Sequence, residues 1–316
     1  MKFVILSTLS ALLLLTLTVF FPSKEKFISE TNKVLIEKHS TYSVIKDISY
    51  ANASDFQKLD IYLPSTKKYA YPVIIAIHGG AFMSGDKSHL PKMAMFNGLK
   101  RGFAVIALNY RLSSESKFPS QIQDVKEAIK WVKLNAVAYH LDPSKIVLWG
   151  ASAGAHLACL AGTTQDLPIF QNTSSNLNKC DTRVNVVVDW FGPINFLAMD
   201  EQLKNTKRGI AKHDSLNSAE SKFIGVQITK NVKLVRSSNP ELYISPNDPY
   251  FFIQHGTMDP LVPVQQSTYF FHRLEGKLGE EKVDIKLIQG AKHGGREFDQ
   301  KENIDLTFRF IERHLK

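Results

Sequence analysis

The sequence predicts an α/β fold: a mostly parallel central sheet flanked by helices, with a small inserted cap. Three observations carry this. Short β-rich runs alternate with helical patterns from residue 72 onward, the order that strand–helix crossovers produce. Most of these runs are apolar throughout, as strands covered on both faces must be. One polar, helix-prone stretch, 196–239, interrupts the alternation between two strands and reads as a cap over their carboxyl ends.

In chain order, Lys2 precedes the apolar run Phe3 to Phe21, followed by Pro22, Ser23 and Lys24. A positively charged start, an apolar stretch and a polar exit make residues 1–26 a signal peptide or an N-terminal signal anchor. The protein is therefore expected to be exported, periplasmic or extracellular, touching a membrane only through residues 3–21 if that segment is retained. The folded domain is expected over residues 43–316. Its first runs, Tyr42 to Tyr50 and Gln57 to Leu63, alternate apolar and polar residues, the pattern of an antiparallel hairpin at a sheet edge. The parallel strands follow at Val73 to Ile77, Phe103 to Leu108, Lys145 to Trp149, Val184 to Asp189, Tyr250 to Gln254 and Val283 to Ile288. Between the second and third lies a helix over 120–140: Ile122, Val125, Ile129 and Val132 recur at helical spacing, and Lys126, Glu127, Lys130 and Lys133 take the opposite, polar face. Ser120 with Gln123 reads as its capping box.

The formal net charge is +9, but Lys and Arg are scattered among Asp and Glu, and no basic stripe or nucleic-acid-binding pattern occurs, so nucleic acid is excluded as a partner. Cys159 and Cys180 are the only cysteines, too few for a disulfide framework; two free thiols are expected, with a single bridge between them as the alternative.

Gly150-Ala151-Ser152-Ala153-Gly154 falls directly after the third parallel strand and opens a helix. A serine on so sharp a strand-to-helix turn is lifted above the sheet, and its neighbours must be small because strand and helix approach closely. The Ala153 N–H at the helix N-terminus can bind an oxyanion. His78-Gly79-Gly80-Ala81-Phe82 ends the first parallel strand, where Gly80 and Ala81 are the expected further N–H donors. A serine hydroxyl needs a base, and the base an orienting carboxylate. With a serine on such a turn, the acid and then the histidine follow in the chain. Asp259, in His255-Gly256-Thr257-Met258-Asp259-Pro260, and His293, in Gly290-Ala291-Lys292-His293-Gly294-Gly295, both follow strands at the edge that carries chemistry in open α/β sheets. Asp189, at a buried strand end, is the rival acid. His78, His156 and His255 are expected to be structural, and His89, His140, His213 and His272 to lie at the surface. Phe82, Tyr110, Trp190 and Phe191 are candidates for a substrate pocket or for the core. No H-E-x-x-H or comparable ligand spacing occurs, so no metal is expected, and no P-loop or dinucleotide motif is present.

With these residues together, the chain resembles α/β-hydrolases of the esterase/lipase superfamily and is most similar to the group of bifunctional feruloyl and acetyl-xylan esterases. The likeness covers about residues 43–315, through HGGAFMSGDK, LNYRLSSESKFPSQIQDVKEAIKWV, WGASAGAHLACLAG, HGTMDPLVPVQQS and GAKHGG. Hormone-sensitive-lipase-like esterases share HGG, YRL and FPS but carry D-P-L-x-D-E where this chain has HGTMDPLVP. Members of the nearer group often have a tryptophan where Phe82 stands. Isoprenylcysteine methylesterases and kynurenine formamidases are also similar. The resemblance implies an α/β-hydrolase fold and carboxylic-ester hydrolysis without a cofactor, acting on a small-molecule or carbohydrate ester. Polysaccharide acetyl or feruloyl groups are the first expectation. A peptidase or lactonase with the same residues, or a binding module without turnover, are the alternatives; the oligomeric state is not legible.

Overall fold

Sheet pairing in the computed structural model follows from where the apolar runs alternate and where they do not. The structure describes residues 36–165, 167–171 and 180–315; the expected export segment lies outside them. Strands β1 (Ile36–Lys38), β2 (Tyr42–Ser49) and β3 (Lys58–Pro64) form an antiparallel edge, with Val44 opposite Tyr62 and Ile45 opposite Ile61. Then come β4 (Tyr71–Ile77), β5 (Ala104–Leu108), β6 (Leu141–Ala151), β7 (Val186–Trp190), β8 (Tyr250–Gly256) and β9 (Val283–Ile288). They assemble in the order β1-β2-β3-β5-β4-β6-β7-β8-β9, parallel from β5 onward.

Helices cover both faces, and the fully apolar strands have no side left for water. On one face Ile74, Val105, Val147, Val186 and Val188 meet Phe308 and Ile311 of α7 (Lys301–His314). On the other, α2 (Ala153–Thr163) packs against β6 and β7, α1 (Ser120–Leu134) against α2, and α6 (Gln265–Leu278) against β8 and β9. Between β7 and β8 the stretch 196–239 forms α3 (Met199–Thr206), α4 (Ala219–Ile224) and α5 (Val232–Ser237). Phe223 of α4 stacks on Phe82 at 4.1 Å between ring centroids and lies beside Phe118 and Phe196. That aromatic cluster seats the stretch on the loop after β4.

Three local expectations need correction. Helix α1 stops at Leu134, where Asn135 takes the C-cap and the chain turns back to pair His140 with Tyr71. Its capping box does not form, because Pro119 is the N-cap and the Ser120 hydroxyl is held by the Ser116 hydroxyl at 2.6 Å. The polar face of α1 is also not solvated. Lys126, Glu127 and Lys130 are buried, with Lys126 Nζ donating to the Thr164 carbonyl after α2 at 2.6 Å and Lys130 paired to Glu127 at 3.2 Å. Buried charge survives only when so partnered. Cys159 and Cys180 are both free thiols.

Candidate active site

Ser152 sits between β6 and α2 with φ 54° and ψ −121°, a conformation that side chains rarely adopt. The surroundings hold it there: its N–H donates to the Trp190 carbonyl and its carbonyl accepts the His156 N–H. A Cβ at Gly154 would lie 2.2 Å from the Ile77 carbonyl oxygen, and one at Gly150 would lie 2.2 Å from the Gly154 carbonyl oxygen. The small residues around the serine are thus a condition of the turn.

On one side the loop after β4 reaches Ser152. Gly80, Ala81 and Phe82 all have positive φ, and Gly80, Ala81 and Ala153 line the cavity that holds the serine. Ala153 begins α2, so its N–H is among those a helix leaves unpaired, at the positive end of the dipole. Beneath this loop the buried Tyr110 ring stacks on His78 at 4.4 Å, and its hydroxyl donates to the His78 carbonyl.

On the other side two loops bring in Asp259 and His293. The His293 Nε2 lies 2.9 Å from Ser152 Oγ, and its Nδ1 lies 2.6 Å from Asp259 Oδ2. Asp259 is buried and also accepts the Leu261 and Val262 N–H groups on Oδ1, at 2.8 and 2.9 Å. Burial opposes its ionisation, yet hydrogen bonds from His255 and His293 hold its carboxyl well below the usual carboxylate range. Gly256 lets the two loops meet, since a Cβ there would lie 2.4 Å from the Ala291 and Lys292 carbonyl oxygens. A serine bonded to an imidazole that is bonded to a buried carboxylate can surrender its proton as it attacks an electrophilic carbonyl.

The rival acid, Asp189, meets neither ring nitrogen of His293, which are taken by Asp259 and Ser152. It is fully buried against α2, its Oδ1 accepts the Gly192 N–H at 2.8 Å, and burial raises its carboxyl to about 6. His78 and His156 are structural as expected. His156 Nδ1 faces the Pro193 carbonyl at 2.7 Å, and burial lowers the imidazole to about 4.

Ser152 and His293 open on a cavity of about 1030 Å³. Phe82 and Phe191 line it, Phe191 with its ring 4.7 Å from that of His293. Tyr110 and Trp190 do not. Tyr110 is packed under the glycine loop, and Trp190 follows Val186 and Val188 to the opposite face of β7, where it meets Trp149 and Phe298. Residues 208–220 form the far wall and hold a residue misjudged as surface: His213 Nδ1 lies 3.0 Å from Glu220 Oε1 and its Nε2 3.0 Å from the Leu261 carbonyl. Burial works against protonation of His213, but Glu220 raises its pKa overall. Seven residues apart across a loop and a helix start, this pair leaves no sequence signal. His255 contacts Asp259 as well, at 3.2 Å, and the only hint of it was the four-residue spacing at a strand end.

The BD-FAE family model matches residues 59–274. The chain is 32% identical to the probable carboxylic ester hydrolase LipM of Mycobacterium tuberculosis over 76% of its own length and 54% of that protein's. It is 31% identical to the esterase LipQ of the same organism, covering 70% of this chain and 50% of the relative. The chain therefore spans about half the length of these curated relatives. Among solved structures, a truncated carbohydrate esterase from gut microbiota superposes with a TM-score of 0.79 at 30% identity, covering 89% of this chain and all of that one. A bifunctional GH43-CE protein of Bacteroides eggerthii gives 0.79 at 33% identity, over 86% of this chain and 35% of its own.

Proposed function

This chain belongs to the BD-FAE family, and from that premise we propose that it is a serine carboxylic-ester hydrolase working through an acyl-enzyme. The observation that carries the reading is the continuous chain of hydrogen bonds Ser152–His293–Asp259, 2.9 and 2.6 Å, at the mouth of a large cavity.

The Nδ1–H of His293 donates to ionised Asp259, which leaves Nε2 with a lone pair facing Ser152 Oγ. As Oγ attacks the ester carbonyl carbon, Nε2 takes its proton, and Asp259 stabilises the imidazolium that forms. Negative charge developing on the carbonyl oxygen is met by the N–H groups of Gly80, Ala81 and Ala153. His293 then protonates the leaving alcohol, and water, activated by the same imidazole, releases the acid from Ser152.

For substrate we propose acetyl or feruloyl groups of polysaccharide. Two things support it: carbohydrate esterases figure among the similar structures, and the cavity exceeds what a short acyl group fills. The stretch 196–239 acts as the cap that shapes access for the leaving group, and residues 3–21 direct export. The test is hydrolysis of p-nitrophenyl acetate, butyrate and octanoate beside acetylated xylan and methyl ferulate, with Ser152→Ala as control. Ser152→Ala is expected to lower kcat by at least about 10⁴-fold. Retained turnover in that variant refutes the serine mechanism; turnover of p-nitrophenyl esters alone refutes the polysaccharide substrate.

A further inference from the structure

Asp259 has a second histidine. His255, the penultimate residue of β8, is fully buried and turned toward α6. Its Nδ1 lies 2.6 Å from Ser267 Oγ in that helix, while its Nε2 lies 2.9 Å from the Val262 carbonyl oxygen and 3.2 Å from Asp259 Oδ2. A carbonyl oxygen can only accept, so Nε2 carries the proton. In the neutral ring Nδ1 then accepts from the Ser267 hydroxyl. The Val262 carbonyl thereby selects the tautomer in which the imidazole offers one forked N–H to Val262 and Asp259, and the Ser267 hydroxyl satisfies the nitrogen left without a proton.

We infer that His255 is a positioning residue for the acid of the triad, an inference that rests on the triad reading above. Oδ1 of Asp259 is held by two backbone N–H groups of its own turn. Those bonds leave the other oxygen to side chains. His293 is the moving partner during turnover, because it gains and loses a proton and must serve both Ser152 and the leaving group. His255 gives Oδ2 a partner that does not move: it is anchored by β8 on one side and by α6 on the other. The same forked bond ties the Val262 carbonyl, and so closes the turn 259–262 that carries the acid. Small displacements of such groups cost large factors in rate.

The charged groups that face His255 are Asp259, in contact, and Asp189, which acts on it through space from β7. Ser267 is its neutral neighbour on α6. Burial of a plain aliphatic side chain here would fill the space and leave Oδ2 with His293 alone.

The discriminating set is His255→Leu, His255→Asn and His255→Gln, each with kcat and KM measured across pH and with a melting temperature, alongside Ser152→Ala and Asp259→Asn. Asn reaches Ser267 but not Asp259; the Gln amide reaches the position of Nε2. In His255→Leu and His255→Asn, kcat is expected to fall about 10- to 100-fold with KM within about threefold, the range for removing a partner that orients a reacting group. The acidic limb of their kcat/KM profile is displaced, because Asp259 stabilises the imidazolium formed during attack only when its carboxylate is held in line with Nδ1. His255→Gln returns kcat to within about threefold of the parent. The inference is overturned if the Leu and Asn variants keep the parent kcat and acidic limb, or if Gln is no better than Asn and all losses follow the melting temperature. Inactive Ser152→Ala and Asp259→Asn proteins in the same series keep the triad reading standing in either case, whereas an active Asp259→Asn protein removes the triad reading itself.

Discussion

The two carboxylates at the ends of β7 and β8 make opposite predictions for one kind of substitution. Asp189→Asn and Asp259→Asn each replace an oxygen by an amide group of the same size. Asp189 is fully buried, with one oxygen on the Gly192 N–H and the weakly donating Cys159 thiol beside the carboxyl. Its carboxyl is raised from 3.8 to about 6. The folded protein therefore binds a proton there more tightly than the unfolded chain does, and the stability this contributes is complete below pH 3.8 and lost as the pH rises through about 6. At about 1.4 kcal/mol per unit the ionised folded form carries a penalty of about 3 kcal/mol. Asparagine cannot ionise, and its carbonyl keeps the Gly192 bond. Relative to the parent, Asp189→Asn should gain about 2 kcal/mol between pH values near 4 and near 8 in urea unfolding, with kcat unchanged within about threefold. Asp259→Asn should do the reverse: its partners favour the ionised form, and a neutral amide presents the wrong face to His293, so kcat falls by about 10⁴-fold. A stability difference between Asp189→Asn and the parent that does not vary with pH, or a large loss of kcat in Asp189→Asn, refutes this division of roles.

Three further outcomes follow from the same geometry. Gly154→Ala places a Cβ against the Ile77 and His78 carbonyl oxygens at 2.2 and 2.5 Å, and a backbone obstacle of that kind should cost about 1–3 kcal/mol in chemical unfolding and lower kcat by displacing Ser152. Arg111→Ala removes the guanidinium that binds both oxygens of buried Asp124 at 2.7–3.1 Å, leaving an uncompensated charge; the expected loss is about 3–5 kcal/mol by urea titration. Trp190→Phe should lower the melting temperature and leave KM unaltered, since the indole packs on Trp149 and Phe298, whereas Phe191→Leu, at the cavity wall, should change KM for aromatic esters.

Much of this was legible in the chain because it depends on short-range rules. Continuous apolar runs place β4 through β8, since strands covered on both faces are mainly apolar; alternation places β2 and β3, although β3 is buried on both faces, with Asp60 paired to Lys87 at 2.7 Å. Ser152 is marked by four small neighbours, a consequence of how closely β6, α2 and β4 approach. Asp259 and His293 are marked by loops that directly follow strands. The polar face of α1 misled for a physical reason: a helix has a polar face whether water or another polar segment covers it, and the segment that receives Lys126 comes some forty residues later. Trp190 misled similarly, because closeness to the strand's carboxyl end does not say to which face an odd or even position points.

By itself, then, the sequence determined the sheet, the turn that carries Ser152, and the placing of Asp259 and His293 in loops that follow strands, all of them set by local chain stereochemistry and the burial of apolar faces. Only the tertiary structure decided which carboxylate meets which imidazole, that His255 shares the acid with His293, and that His213 bridges Glu220 to the Leu261 carbonyl in the cavity wall. Those contacts join residues from different loops and helices, and their geometry exists only once the chain has packed.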